Sequence, residues 1–424
     1  MMKRIILLLA SAALAVLLVS SVAGADATIT FAPAKNFPAG DSPRAVAAAD
    51  LDKDGDTDIV TVHNAIDRVS VLKRRADGTF AAPVRYATAD APTDIVGRED
   101  FDGDGDIDIA TSNLSESISV LLNKGNGTFA AQRKYATPAL ANPVAIESGR
   151  LDGDRDWDLV TTNEGSVGTT GGWREGGVSV FKNNGNGTFA AALDSRARGI
   201  YAGYAPLRGL DRADLDGDGD EDLAMGIALG RELEPGALVM LGRGDGYFGG
   251  TSGETRYFFR YFESDGEIYH DNDIDSANDI LIHDLDGDGD RDLATTGSSN
   301  PGDNKFGNLY VFLGNGDGTF QNPQRLGTNE PNVALTEADF DRDGDIDLAT
   351  AGYFDSSNPS GKVSVLANAG NATFGDESTV HPTFGVGNEP RAIIRARMNT
   401  DRMPDLVVAN YGSDDVLVLI NTTQ

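Results

Sequence analysis

The sequence predicts an all-β chain. The expected fold is a seven-bladed β-propeller of four-stranded antiparallel blades, its ring closed by an N-terminal strand that completes the last blade. Three observations lead there. An aspartate-rich loop recurs seven times along 424 residues. Short strand patterns surround each copy and run into a tight turn that ends in phenylalanine. The last copy lacks its fourth strand, and residues near the start of the chain supply a matching one.

The loop is clearest in its first copy, Asp50-Leu51-Asp52-Lys53-Asp54-Gly55-Asp56-Thr57-Asp58. Five carboxylates alternate through one turn. A like-charge pair at about 4 Å costs about 4 kcal/mol at an effective dielectric near 20, so the cluster calls for a counter-ion. A hard divalent cation with oxygen ligands, calcium above all, turns the repulsion into attraction. The first, third, fifth and ninth positions are assigned as side-chain ligands and the seventh as a carbonyl ligand. Gly55 supplies the left-handed backbone that reverses the chain. An EF-hand opens the same way but needs Glu at the twelfth position, where this chain has Thr61. The residues that follow, Asp58 to His63, are β-branched and read as a strand.

Regular copies recur as Asp100, Asp102, Asp104, Asp106 and Asp108; Asp214, Asp216, Asp218, Asp220 and Asp222; Asp284, Asp286, Asp288, Asp290 and Asp292; and Asp339, Asp341, Asp343, Asp345 and Asp347. The third copy in order keeps Asp152, Asp154, Asp156 and Asp158, with Arg150 in the first position and Arg155 in place of the glycine. The seventh is eroded to Arg397, Asn399, Asp401, Arg402 and Asp405, and no ion is expected there. The expected cofactor is therefore Ca2+, about five to six ions, in a structural role.

Two further markers repeat. A turn ending in Phe80, Phe129, Phe189, Phe248, Phe320 or Phe374 follows the third strand of each of the first six units, and each Phe is expected in the core. A proline, at 43, 92, 143, 206, 331 or 390, precedes or opens the strand that leads into a loop. In unit two the expected strands are 92–99, 107–111, 117–122 and 129–135. Unit seven has strands over 391–396, 405–410 and 416–421 and then stops, while Thr28 to Phe37 aligns with Thr79 to Tyr86. The N-terminal stretch would thus close the ring and leave no free edge.

The net charge of −31 is largely loop acidity, since the six clear loops hold 29 aspartates. Such a chain is a poor partner for double-stranded nucleic acid. The absence of cysteine excludes disulfides. Residues 1–25 read as a secretory signal peptide: Lys3 and Arg4, an apolar run from Ile5 to Val19, then Ala23-Gly24-Ala25. That run is shorter than the ~20 residues a membrane span needs. The expected organisation is a signal peptide over 1–25 and a single propeller over 26–424, secreted to an extracellular, periplasmic or cell-surface location as a monomer.

Two units are enlarged. A Gly-rich insert carrying Trp173 separates strands two and three of unit three, and an aromatic run with Tyr257 and Tyr261 follows Phe248. These three aromatics are candidate ligand contacts, weighed against plain packing. Trp157 is read as packing. No catalytic constellation emerges: His63, His270, His283 and His381 lie in different units. Arg98, Arg150, Arg212 and Arg395 could serve a calcium-assisted polysaccharide lyase as bases or equally serve as charge partners.

The loop between the first two strands of a four-stranded unit, together with the G-x-G-T-F turn, resembles the FG-GAP/VCBS repeat family over residues 28–424. That family includes the calcium-bearing propeller of integrin α-subunits and some lectins. The resemblance implies a seven-bladed propeller with calcium near the periphery of one face, used for binding or adhesion to protein or glycan. The alternative reading is a calcium-assisted lyase or hydrolase on the same scaffold.

Overall fold

A computed structural model describes residues 28–165, 176–196, 207–227, 236–249, 254–258, 262–264, 267–269, 276–298, 308–328, 331–353, 359–375, 379 and 381–424. Within these, seven four-stranded antiparallel sheets form the blades, and one small hairpin pairs Phe262–Ser264 with Glu267–Tyr269. Blade one shows the pattern: Pro43–Ala49, Asp58–His63, Arg68–Leu72 and Val84–Ala87, each paired with the next. The inner strands of the other blades are Pro92–Val96, Pro143–Gly149, Leu207–Ala213, Ser276–His283, Asn332–Ala338 and Pro390–Ala396. All seven inner strands face one axial cavity.

The seventh blade closes as expected. Lys35–Pro38 pairs with Asp415–Leu419, and Phe31 bridges Asn421. The Thr30 carbonyl accepts the Thr422 N–H at 2.8 Å. The chain therefore seals the ring with an outer strand borrowed from its own beginning.

The second and third strands are almost wholly buried on both faces, with small polar residues such as Thr61, Thr111, Ser119 and Ser179 enclosed among the apolar ones. The core is not one central mass but seven apolar layers, each between two adjacent blades. The layer between blades two and three joins Phe101, Ile118 and Val120 to Leu159, Phe181 and Phe189. The turn phenylalanines occupy these layers. Phe189 lies edge-on to Phe101 of the preceding blade, 5.7 Å between ring centres.

Several strand limits differ from the sequence expectation: the second strand of blade two is Ile109–Asn113 and not 107–111, and the third strand of blade seven is Asp415–Leu419 and not 416–421. The outer strand of blade two begins at Arg133, because Phe129 is held in a separate bridge to Asn123 that closes the turn. The inner strand stops pairing at Val96, next to Gly97, where an added Cβ would sit 3.2 Å from the Ala47 Cβ of blade one. Trp157 packs as expected, half-buried against the layer between blades two and three. The 1–25 segment, Trp173, Tyr261 and His270 lie outside the described residues. Tyr257 stands on Glu254–Phe258, the outer strand of blade four.

Candidate metal centres

Each Asp-rich loop joins the end of an inner strand to the start of the second strand, so all seven lie on one face of the ring. Their shape is held by short carboxylate-to-backbone bonds. The first aspartate caps the turn: Asp100 accepts the Gly103 and Gly105 N–H groups, both at 2.7 Å, and Asp214 accepts Gly217 and Gly219 at 2.7 and 3.0 Å. The fifth accepts the seventh residue's N–H, as in Asp104 to Asp106 and Asp288 to Asp290, both 2.9 Å. The sixth-position glycines are left-handed, from φ 86° at Gly105 to φ 102° at Gly344.

The ninth aspartate is a clasp. Asp108 accepts Phe101 N–H at 2.9 Å through one oxygen and Asn123 N–H at 2.8 Å through the other. The same pair of bonds recurs at Asp58, Asp158, Asp222, Asp292, Asp347 and Asp405. All seven are at most 1% exposed. Burial raises their carboxyls, to about 7 for Asp108, Asp158 and Asp347 and about 6 for Asp58, Asp222, Asp292 and Asp405.

Carboxylate oxygens from several positions converge within 4.8 Å of one another: Asp50, Asp52 and Asp54; Asp100, Asp102 and Asp108; Asp152, Asp154 and Asp158; Asp214, Asp216 and Asp218; Asp284, Asp286 and Asp292. Several loop oxygens are buried and accept no hydrogen bond among the described residues: Asp52 Oδ1 and Asp102 Oδ1 of these clusters, and Asp339 Oδ1 and Asp341 Oδ2 of loop six. A buried acceptor left without a donor is costly, and a hard cation is the group that satisfies several at once. Burial, then neighbouring carboxylates, raises Asp102, Asp216 and Asp286, and takes Asp341 to about 6. The donor set fits calcium.

The seventh-position carboxylates point elsewhere. Asp56 pairs with Arg74, and Asp106 pairs with Lys53 of the preceding loop. Asp106, Asp156, Asp220 and Asp290 also lie against the turn glycines 125, 185, 244 and 316, where no Cβ would fit. Lys73 and Lys182 reach Asp52 and Asp152 at 3.3 and 3.4 Å.

Loop three keeps a carboxylate cluster despite its two arginines. Arg150 turns away and lies 4.9 Å over the Trp157 ring, and Arg155 stays out of the left-handed region. Loop seven keeps the turn alone. Asn399 takes the Asp401 N–H and Asp401 the Met403 N–H, both at 2.8 Å, and Arg402 adopts φ 68° where the five regular loops have glycine.

One element escaped the sequence reading. Asn123, Asn183, Asn368 and Asn421 each donate to a carbonyl of the preceding blade's loop, Leu51, Phe101, Leu285 and Phe340, at 2.7–2.8 Å. Three of them stand two residues ahead of the turn glycine, so the signal lay just upstream of the turn motif. The candidate bases are engaged. Arg98 donates to Glu147 and Arg212 to Glu221, both at 2.6 Å, and Arg395 pairs with Glu337. His63 is enclosed by Thr61 Oγ1 at 2.9 Å and the Asp41 carbonyl at 2.7 Å.

The sequence matches the FG-GAP-like repeat family at residues 100–161 and 284–350. No curated protein matches it. Among solved structures, a crystal structure of BBS1N in complex with ARL6DN, soaked with mercury, is similar at 13% identity and a TM-score of 0.54, covering 92% of this chain and 96% of that one. A lead-soaked crystal of the same complex gives 12% identity, a TM-score of 0.52, and coverage of 93% and 97%. At such identities the likeness concerns the fold.

Proposed function

Taking the chain as a seven-bladed propeller built from FG-GAP-like repeats, we propose that it is an exported, non-catalytic binding module for protein or glycan ligands, stiffened by about five to six structural calcium ions. The observation that carries the calcium reading is the set of convergent, buried carboxylate oxygens with no donor in the loops. In loop two, Asp100, Asp102, Asp104 and Asp108 would hold the ion, with equivalent residues in loops one, four, five and six and Asp152, Asp154 and Asp158 in loop three. The ion supplies positive charge that neutralises each cluster and ties the inner strand to the second strand. A similar propeller sits in a complex with a protein, ARL6DN, and a closed ring of blades suits that use here.

Two measurements test this. Elemental analysis of the purified protein is expected to return five to six calcium ions per chain, and a value near zero overturns the calcium reading. Arrays of glycans and extracellular proteins, probed with and without calcium, are expected to give a calcium-dependent ligand. Unsaturated or shortened products from acidic polysaccharides would replace the module with an enzyme.

A further inference from the structure

The axial cavity, of ≈ 830 Å³, is lined by all seven inner strands and has two chemically different ends. At the loop end three of its arginines are matched: Arg98 to Glu147, Arg212 to Glu221, Arg395 to Glu337. The other end is built by a repeated irregularity. In five blades the residue after the strand-opening position bulges out of register, between Pro43 and Ala45, Pro92 and Asp94, Pro143 and Ala145, Asn332 and Ala334, and Pro390 and Ala392. A bulge re-aims its side chain, and all five bulged residues line the cavity.

Two of these residues are Arg44 and Arg391, in blades one and seven, which adjoin where the ring closes. Arg208 of blade four joins them from across the cavity. Arg391 pairs with Glu389 at 3.5 Å and lies 5.3 and 5.4 Å over Tyr353 and Tyr411, while Arg208 pairs with Glu164 at 3.3 Å. Arg44 makes no hydrogen bond or ion pair among the described residues. It is held below the usual arginine value by burial first and then by the charges of Arg391 and Arg208, which Glu164 and Asp94 partly offset.

We propose that this mouth is a binding site for a single carboxylate-type oxyanion, presented by an acidic peptide segment that enters the channel, with Arg44 as its principal partner and Arg391 and Arg208 around it. Guanidinium groups match a carboxylate's two oxygens through paired N–H donors. The deeper lining limits the ligand to one such group. Asp94, Asp211 and Asp279 stand below the arginines, each taking a backbone N–H of the following blade at 2.7–3.0 Å; burial raises their carboxyls to about 7, 7 and 6, and the fraction that is ionised would repel a polyanion. The cavity is far larger than a free small anion, which favours an anion carried on a chain.

The inference rests on the closed ring and not on calcium. The test is calorimetric titration of the full chain in saturating calcium. The probes are a short acetylated and amidated peptide with one central glutamate, its glutamine twin, and inorganic sulfate. The glutamate peptide is expected to bind at least tenfold tighter than its twin. Arg44→Gln should weaken it at least tenfold, Arg44→Lys should restore part of the loss, and Arg98→Gln at the far end should change nothing. Competition by sulfate would show that the oxyanion alone suffices. Equal binding of the twin peptides, or wild-type affinity in Arg44→Gln, overturns the proposal. If Arg44→Gln does not fold, Arg391→Gln carries the same expectation. Calcium content measured on the same samples reports separately on the metal reading.

Discussion

The ninth aspartate of each loop does two jobs that ordinary substitution can separate. Asp405 sits in the seventh loop, where Arg397 and Asn399 replace the first and third ligand positions and Arg402 replaces the glycine, yet it keeps both backbone bonds at 2.7 and 2.8 Å. Asp405→Ala strands two buried N–H groups, and each unmet donor costs about 1–3 kcal/mol. Unfolding free energy is therefore expected to fall by about 2–5 kcal/mol with calcium content unchanged, read by denaturant melts and elemental analysis. Asp54→Asn keeps the acceptor for Asp56 N–H but removes a charge, so it should lose one ion per chain. The clasps also set a pH response. Their folded carboxyls lie at about 6 to 7, above the ordinary value near 4, so the ion-free fold holds protons that the unfolded chain releases. Stability in chelator should drop as pH rises from about 4 to about 7 and level off beyond. Calcium binds the ionised form and should reverse that trend. Thermal melts across this range, with calcium and with EGTA, check both curves.

At the scale of the element, most of a blade was legible. The turn phenylalanines were placed in the core from their motif alone, and the prolines marked strand starts at Pro43, Pro92, Pro143 and Pro390. Phe189, buried between two blades, should cost about 3–5 kcal/mol on truncation to Ala. The loop glycine is equally readable. Gly289 has φ 100° with open space around it, so Gly289→Ala is strained by backbone alone, about 1–2 kcal/mol, and should weaken one calcium site without disturbing packing. What the sequence concealed was whatever depends on register between strands. The bulges that aim Arg44 and Arg391 into the channel leave no trace in a two-residue period. Nor does a period show that Asn123 reaches across to the carbonyl of Leu51 in another blade. The seventh-position aspartates repeat as faithfully as the ligands, and only the geometry shows them turned toward the hairpin glycines.

At the scale of the molecule, ring closure followed from a subtraction: one unit short of a strand, and one spare strand at the start. The structure pairs those two segments residue for residue from Lys35 with Val418 to Pro38 with Asp415. Deleting residues 28–38 should expose the edge of Asp415–Leu419, lower the melting temperature and promote association, seen by calorimetry and size-exclusion chromatography. The latch has a further effect, on time rather than stability. Thr30 and Thr423, which bond at 3.0 Å, are 393 residues apart in the chain, so nearly every blade must be made before the two can meet. Loop-closure entropy makes such a distant pairing a late and slow event. Until it happens the edge of Asp415–Leu419 has no partner, and that bare edge is what a chaperone would encounter.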